Sequence, residues 1–157
     1  MKNAPVHPDT DMTMSVSPIG YVTTDFQRPQ EAPPQATMAY GSRGRVVVFE
    51  RFAGGLEGLF SGQHVWLLSW LHSQTDQEAA PLKLTPRGWA GTGRTTGVYS
   101  TRTPNRHNRI GLSLVRIREV HAAALDFEGV DLVDGTPVLD IKPYSHGSDT
   151  PPSGEQG

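Results

Sequence analysis

The sequence predicts an all-β protein, a single β-barrel-like domain of about seven short strands with long loops. Its 157 residues suit one domain with its own core. Glycine and proline are plentiful, at 17 and 13 residues, which favours turns and short strands over a helical bundle. Short runs rich in valine and isoleucine recur between glycine-containing turns, a pattern typical of barrels and strongly curved sheets.

Three strands are predicted in the first half of the chain. Residues 16–24 (VSPIGYVTT) and 45–52 (RVVVFERF) carry the β-branched residues that strands favour. Residues 63–72 (QHVWLLSWLH) form an apolar run whose length does not separate a strand from a helix. Its valine and aromatic content favours a strand. Residues 25–38 form a proline-rich loop that is long enough to be a candidate lining of a site.

The second half of the chain predicts the remaining strands. Residues 81–85 and 97–101 are short strand-like segments, and in residues 110–120 Val115 and Ile117 alternate with Arg116 and Arg118, as in a half-buried strand. Residues 122–127 and 138–141 complete the set, the last one after a DGTP turn. Residues 1–15 are predicted as a flexible N-terminal tail, 16–146 as the domain and 147–157 as a disordered C-terminal tail.

Several classes of chemistry are excluded by the sequence. There is no cysteine, which rules out disulfides, zinc-thiolate sites and cysteine nucleophiles. The GTGRTTG segment nearly imitates a dinucleotide-binding loop, but its spacing is wrong and no helix follows. The first residues lack the apolar segment of a secretory signal, and no apolar run is long enough to span a bilayer. The expectation is a cytoplasmic protein that does not contact a membrane.

The most unusual stretch lies between Arg94 and Arg118. It holds six arginines and no aspartate or glutamate, although the whole chain carries a net charge of −2. A local basic band of this kind predicts a site for an anion such as a phosphate or a carboxylate. The alternative is an arginine-rich edge strand that is merely solvated. The band consists of Arg94, Arg102, Arg106, Arg109, Arg116 and Arg118.

Other polar residues are open to two interpretations. His72 and Ser73 end the apolar run, where they either cap a strand or bind a ligand at its mouth. Asp131, Asp134 and Asp140 lie close in sequence, but the spacing of a calcium-binding loop is missing, so no metal is predicted.

The tryptophans and Lys142 carry simpler expectations. Trp66, Trp70 and Trp89 are expected in or near the core, although Trp89 in its glycine-rich loop could instead stack on a base. Lys142 is expected to form an ion pair with a carboxylate, with a structural pair as the simplest interpretation.

Three segments together resemble one family. They are PIG at residues 18–20, STRTPNRHNRIGLS at residues 100–113 and DLVDGTPVLDIKPY at residues 131–144. This combination resembles the TsaA-like family that contains the TrmO tRNA methyltransferases, over roughly residues 16–146. The last segment is the most specific of the three.

The resemblance implies a β-barrel-like domain that binds S-adenosylmethionine without a Rossmann sheet and forms homodimers. It also implies N6 methylation of threonylcarbamoyl-adenosine at position 37, beside the tRNA anticodon. His72 and Asp134 are then candidate bases, and Arg106, His107, Asn108 and Arg109 are candidate contacts to the tRNA substrate. The implied cofactor-binding residues are Pro33, Pro34, Gln35, His72, Ser73, Arg102, Leu112, Asp131, Leu132, Val133, Asp134 and Gly135.

The chain also departs from the family pattern in its substrate loop. The family's RPNPIG is RHNRIG here, so His107 and Arg109 stand where the family has prolines. Because proline fixes φ, the loop is expected to be more flexible or differently shaped. Pro34 also replaces a basic residue of the pattern. Methylation of a small-molecule acceptor, or S-adenosylmethionine binding without catalysis, are therefore the alternatives to a tRNA methyltransferase.

Overall fold

The computed structural model describes residues 13–34, 41–72 and 80–150, and most of these residues build one antiparallel barrel. The described strands are β1 (Gly20–Thr23), β2 (Arg43–Val48), β3 (His64–Trp70), β4 (Lys83–Leu84), β5 (Thr96–Gly97), β6 (Ile110–His121), β7 (Ala124–Glu128) and β8 (Pro137–Pro143). Six of them close in the order β1-β2-β7-β6-β3-β8, and β4 and β5 form a separate two-stranded sheet. The predicted all-β barrel is confirmed.

Three predicted segments differ in detail. The second predicted strand ends at Val48, and a 3-10 helix, Glu50–Leu56, follows. The segment predicted as a strand at residues 97–101 is mostly a 3-10 turn, Val98–Ser100, because side-chain hydroxyls there bond to nearby backbone carbonyls. The last described element is one turn of α-helix, α1 (His146–Asp149), where the sequence predicts the start of a disordered end. None of the helices among the described residues has the length and apolarity to cross a bilayer.

The core fills the barrel interior because side chains along each strand point alternately inward and outward. In β3, Val65, Leu67 and Ser69 are buried and the residues between them face outward. Trp70 is therefore 45% exposed on the outer face, and the expectation that it lies in or near the core is wrong. The most deeply buried large side chains are Phe127, Leu67, Ile117, Leu125, Val22, Val46, Val65, Val115, Val130 and Val138.

One end of the barrel brings together the turn before β8 and the long chain segment between β3 and β6. There β1 and β3 finish and β6 and β8 begin, since Trp70 pairs with Ile110 and Ser69 pairs with Val138. This end is called the mouth below. Between β3 and β6 the chain leaves the barrel, and the described part of that excursion, residues 80–109, is called the arm. A backbone hydrogen bond of 2.9 Å from Leu71 N–H to Arg109 O joins the two chain segments at its base.

An ion network ties β2 to the β6–β7 hairpin. Arg45 donates to both carboxylate oxygens of Asp126, with an Nη2–Oδ2 distance of 2.8 Å, and His121 Nε2 lies 3.0 Å from Oδ2. Glu119 approaches the other ring nitrogen of His121 at 3.9 Å. The hydrogen bonds from Arg45 hold the pKa of Asp126 well below its ordinary value; partial burial opposes this shift, and His121 adds to it. The Arg45 guanidinium therefore already binds the Asp126 carboxylate, which would otherwise be available with Glu119 and His121 to coordinate a metal cation.

Replacing Arg45 by methionine should lower the Tm by a few degrees at pH 7. Because the pKa of Asp126 is lower in the folded state, the stability it contributes is present above the unfolded value of about 3.9 and is lost as the pH falls through the folded value. The difference in Tm between the two proteins should thus be constant above about pH 5 and shrink below about pH 4. Thermal melts across this range, with exposed Arg43→Met on the same strand as control, measure it. A Tm difference that grows as the pH falls would contradict the assignment of the lowered Asp126 pKa to its hydrogen bonds with Arg45.

Candidate functional site

The DGT turn at the mouth is fastened to the end of β1. Asp134 Oδ1 accepts the backbone N–H of Thr24 at 3.0 Å, and Asp134 N–H donates to Phe26 O at 2.8 Å. Gly135 has a φ of 75° and donates its N–H to Val22 O at 2.8 Å. A residue with a β-carbon is strained at such a φ, which accounts for glycine here. The turn is thus held rigidly, and Asp134 remains exposed at its tip.

Two inward-facing serines and one aspartate make the inner wall of the mouth polar. Ser113, 3% exposed, donates from Oγ to Asp131 Oδ1 at 2.6 Å. Ser69 is fully buried, and its Oγ has no hydrogen-bond partner among the described residues. It faces Gly111, where a β-carbon would lie 2.5 Å from the Ser69 hydroxyl. Neither serine was among the predicted site residues, although the alternation of side chains along each strand places both of them on the inward face.

The two serines should respond oppositely to alanine substitution. Ser69→Ala removes a buried hydroxyl without a partner, so the free energy of unfolding should rise by about 1 kcal/mol. Ser113→Ala removes the hydrogen bond from the Ser113 hydroxyl to Asp131 and should lower that free energy by about 1–2 kcal/mol. Chemical denaturation of both variants measures the contrast. Equal destabilisation by the two substitutions would show that the Ser69 hydroxyl is also satisfied.

The remaining predicted cofactor positions fall into distinct environments. His72 is exposed just beyond β3, Pro33 is partly buried and Pro34 is exposed, while Gln35 and Ser73 lie outside the described residues. Leu132 and Val133 are 5% and 7% exposed, so chiefly their backbone atoms are available to a ligand.

Two predicted cofactor residues belong to elements other than the DGT turn. Leu112 is 52% exposed on the outer face of β6, whereas its neighbour Ser113 points inward beside Asp131. Arg102 is exposed on the arm and has no side-chain partner among the described residues. The fold therefore gathers His72 and residues 131–135 at the mouth, while Leu112 faces away from them.

The three aspartates considered as metal ligands have separate roles. Asp131 accepts from Ser113, Asp134 accepts from the backbone of Thr24, and Asp140 pairs with Lys142 Nζ at 2.9 Å. Within residues 13–34, 41–72 and 80–150, they do not come together as a potential metal-binding group. The pairing of Lys142 with a carboxylate is confirmed.

The basic band divides into two parts. Arg116 and Arg118 pair with Glu128 across β6 and β7 at 3.0 and 3.3 Å, so they neutralise a carboxylate within the barrel wall. Because β6 is paired on both sides, the alternative of a solvated edge strand is wrong. The other four arginines belong to the arm. There Arg94 stacks over Trp89 at 4.2 Å, and Arg106 donates to two backbone carbonyls of its own loop.

The arm concentrates positive charge beside the mouth. Residues 80–109 include no aspartate or glutamate and six basic residues, on a chain whose net charge is −2. A cluster of charges of one sign attracts a polyanion over the range of a Debye length. The arm is therefore the remaining candidate for the predicted anion site. Its basic residues are Lys83, Arg87, Arg94, Arg102, Arg106 and Arg109.

The backbone of the loop at residues 106–109 is unusual at Arg109. Arg109 has a φ of 52° and is the one non-glycine residue with positive φ in the described part of the chain. Proline, with φ fixed near −65°, does not fit this conformation. The family's second proline is thus incompatible with the backbone conformation that Arg109 adopts here.

These features define a closed antiparallel barrel with a polar, loop-lined mouth and a basic arm beside it. Residues 21–150 match the family model of the tRNA-methyltransferase O N-terminal domain. The chain belongs to this TrmO family, as the sequence motifs predicted.

Relatives and solved structures agree with this assignment. A Pseudomonas aeruginosa protein named putative S-adenosylmethionine-dependent methyltransferase RcsF is 44% identical over 135 residues, covering 85% of this chain and 58% of the relative. A mouse tRNA (adenine(37)-N6)-methyltransferase is 38% identical, over 85% of this chain and 31% of the relative. The crystal structure of TrmO from P. aeruginosa superposes with a TM-score of 0.73 at 38% identity, covering 93% of this chain and 62% of that one.

The chain thus spans about three fifths of the first of these relatives and about a third of the mouse enzyme. A shorter relative exists in Methanothermobacter thermautotrophicus. It is named probable S-adenosyl-L-methionine-binding protein and is 35% identical, and the match covers 86% of this chain and 93% of the relative.

Proposed function

We propose that this protein is an S-adenosylmethionine-dependent methyltransferase that modifies N6 of an adenosine at position 37 of tRNA. The observation that carries the proposal is the match of residues 21–150 to the tRNA-methyltransferase O N-terminal domain. Relatives named as S-adenosylmethionine-dependent or S-adenosylmethionine-binding support the donor, and the mammalian relatives named as tRNA enzymes support the acceptor.

The residues at the mouth fit the donor. S-adenosylmethionine, when bound, supplies an electrophilic methyl group next to a positively charged sulfur. The carboxylates of Asp131 and Asp134 offer negative charge to a cationic ligand, and Ser69 offers a buried hydroxyl that lacks a partner within the described chain. Arg102, exposed on the arm, is suited to hold a carboxylate through two parallel hydrogen bonds.

The acceptor chemistry assigns roles to further residues. Transfer to N6 forms a nitrogen–carbon bond, breaks the donor's sulfur–carbon bond with its electron pair left on sulfur, and releases a proton from the nitrogen. His72 and Asp134 are the candidate bases for that proton. Asp134 Oδ1 already accepts the Thr24 N–H, which leaves Oδ2 for the reaction. The loop of Arg106, His107, Asn108 and Arg109 contributes positive charge for the tRNA backbone.

A transfer assay tests the acceptor. The protein is incubated with S-adenosylmethionine labelled in its methyl group and with bulk tRNA, and the RNA is then digested to nucleosides. The proposal expects label in an N6-methylated adenosine nucleoside when tRNA is present. Substrate tRNA changed at position 37 should accept no label. Label in other nucleosides, or none in RNA from any source, would overturn the tRNA assignment.

The backbone at Arg109 favours a second candidate. Since the loop cannot take the family's proline at this position, the acceptor site beside it can differ in shape from that of a tRNA enzyme. In this second candidate the mouth binds S-adenosylmethionine and the methyl acceptor is a small molecule, or the domain binds the cofactor without catalysis. Cofactor binding with no methyl transfer to RNA would favour it.

We further propose a homodimer, with the outer face of β3 and β6 as the contact. Trp70, Ile110 and Leu112 are 45%, 50% and 52% exposed, and Trp70 and Ile110 are direct partners across the two strands. Contiguous exposed apolar side chains of this size favour association. Light scattering should give twice the chain mass, and Trp70→Glu should halve it. A monomer at all concentrations would contradict this proposal.

A further inference from the structure

Tyr99 is the most exposed large aromatic residue in the described part of the chain. Its side chain is 79% exposed, on the 3-10 turn Val98–Ser100 of the arm. A tyrosine ring offers a large flat apolar face, so an exposed ring on a structured turn is available to a ligand. The preceding residue, Val98, is only 3% exposed, so the turn is anchored by one side chain and presents the next one to solvent.

The turn that carries Tyr99 is held by side-chain hydrogen bonds on both sides. Ser100 Oγ donates to Gly97 O at 2.7 Å, and Thr101 Oγ1 donates to Val98 O at 2.8 Å. Arg106 reaches back to donate from Nη1 to Thr101 O at 2.8 Å and to Val98 O at 3.3 Å. The ring is therefore displayed by a fixed backbone, which reduces the entropy lost when a ligand packs on it.

The surroundings of the ring indicate what would pack there. The Arg106 guanidinium lies 5.9 Å from the Tyr99 ring centroid, and elsewhere on the arm Arg94 stacks over Trp89. The arm contains no carboxylate. An exposed aromatic face beside a guanidinium, on a segment rich in basic residues, is an arrangement that suits single-stranded nucleic acid, with the ring stacking on a base and the cations near phosphates.

We propose that Tyr99 is a stacking platform for an unpaired RNA base next to the methylated nucleotide. This inference rests on the proposed function and adds a recognition residue to it. Stacking on a ring does not read base identity, so Tyr99 contributes affinity and placement rather than sequence choice. Arg106 has a positioning role, since its hydrogen bonds hold the turn that presents the ring.

The test is binding of a fluorescently labelled tRNA anticodon stem–loop, measured by anisotropy across a range of salt concentrations. Tyr99→Ala should weaken binding by about 5- to 100-fold. The slope of log affinity against log salt should stay unchanged, because no phosphate contact is removed. Tyr99→Phe keeps the ring and should bind like the unaltered protein.

Phe60→Ala is the matched control. Phe60 is 62% exposed and precedes β3, whereas the arm follows β3, so it lies at the far end of that strand. Its loss should leave RNA affinity unchanged. Equal affinity of Tyr99→Ala and the unaltered protein, or an equal loss in Phe60→Ala, would overturn the stacking proposal.

Three further outcomes separate the possible failures. If the unaltered protein methylates tRNA and Tyr99→Ala binds RNA equally well, only the stacking proposal fails. If the unaltered protein binds S-adenosylmethionine but no RNA, the tRNA assignment fails and the stacking proposal fails with it. A change in oligomeric state in Tyr99→Ala, with RNA affinity intact, would identify the ring as a protein contact instead.

Discussion

Alanine at position 20 should prevent the barrel from closing. Gly20 is buried where β1 pairs with both β2 and β8, opposite Val48 and Val138. A β-carbon there would lie 2.1 Å from Val47 O and 2.9 Å from Val48 Cα. Both obstacles are backbone atoms of the neighbouring strand, so relief requires separating the two strands. The expected cost exceeds about 4 kcal/mol, which is comparable with the whole stability of a small domain.

Thermal unfolding followed by circular dichroism measures this effect. Gly20→Ala should show no cooperative transition, or a Tm far below that of the unaltered protein. Gly97→Ala is the control, since Gly97 has a φ of −66° and nothing lies within 4 Å of its added β-carbon. That substitution should leave the Tm unchanged or slightly raised. A Gly20→Ala protein as stable as the control would show that β1 is not held between β2 and β8 as described.

Removing the guanidinium of Arg102 should weaken S-adenosylmethionine binding by roughly 10- to 100-fold. That loss corresponds to one charge-assisted, two-pronged contact to a carboxylate. Because Arg102 is exposed and has no side-chain partner among the described residues, Arg102→Ala should leave the Tm unchanged. Calorimetric titration reports the affinity, and a thermal melt reports the stability of the same preparation.

Two variants calibrate the Arg102 result. Arg102→Lys keeps the charge but not the planar guanidinium. Its affinity for S-adenosylmethionine should therefore fall between those of the unaltered protein and Arg102→Ala. Arg51→Ala removes an equal charge from the 3-10 helix that follows β2, where Arg51 stacks on Phe49 and Phe52. It should bind the cofactor normally. Unchanged affinity in Arg102→Ala would remove this residue from the cofactor site.

The strands were predictable wherever side chains alternate. Val115 and Ile117 against Arg116 and Arg118 identified β6, and the DGTP turn placed the start of β8. Barrel closure was harder to derive, because β6 pairs with β3 through its first half and with β7 through its second. That double pairing is a long-range property. The turn at residues 98–100 was missed because local hydroxyl-to-carbonyl bonds outweigh the strand propensity of a valine and a tyrosine.

The sequence identified the family but not which partners its charged residues contact. A run of arginines looks uniform in one dimension, yet Arg116 and Arg118 meet Glu128 while Arg106 fastens its own loop. Those partners lie on another strand or across a turn, so no fixed spacing between residues in the sequence predicts them. Ser69 likewise drew no attention, since a lone serine in an apolar run gains meaning only once its inward direction is known.

Calorimetric titration of the purified protein with S-adenosylmethionine tests the central claim most directly. The proposed methyl transfer, the role of Arg102 and the placement of the acceptor all require cofactor binding at the mouth. We expect saturable binding of one cofactor per chain, weakened in Arg102→Ala and retained in Arg51→Ala. No heat of binding at any accessible concentration, from a protein with a cooperative unfolding transition, would contradict the account.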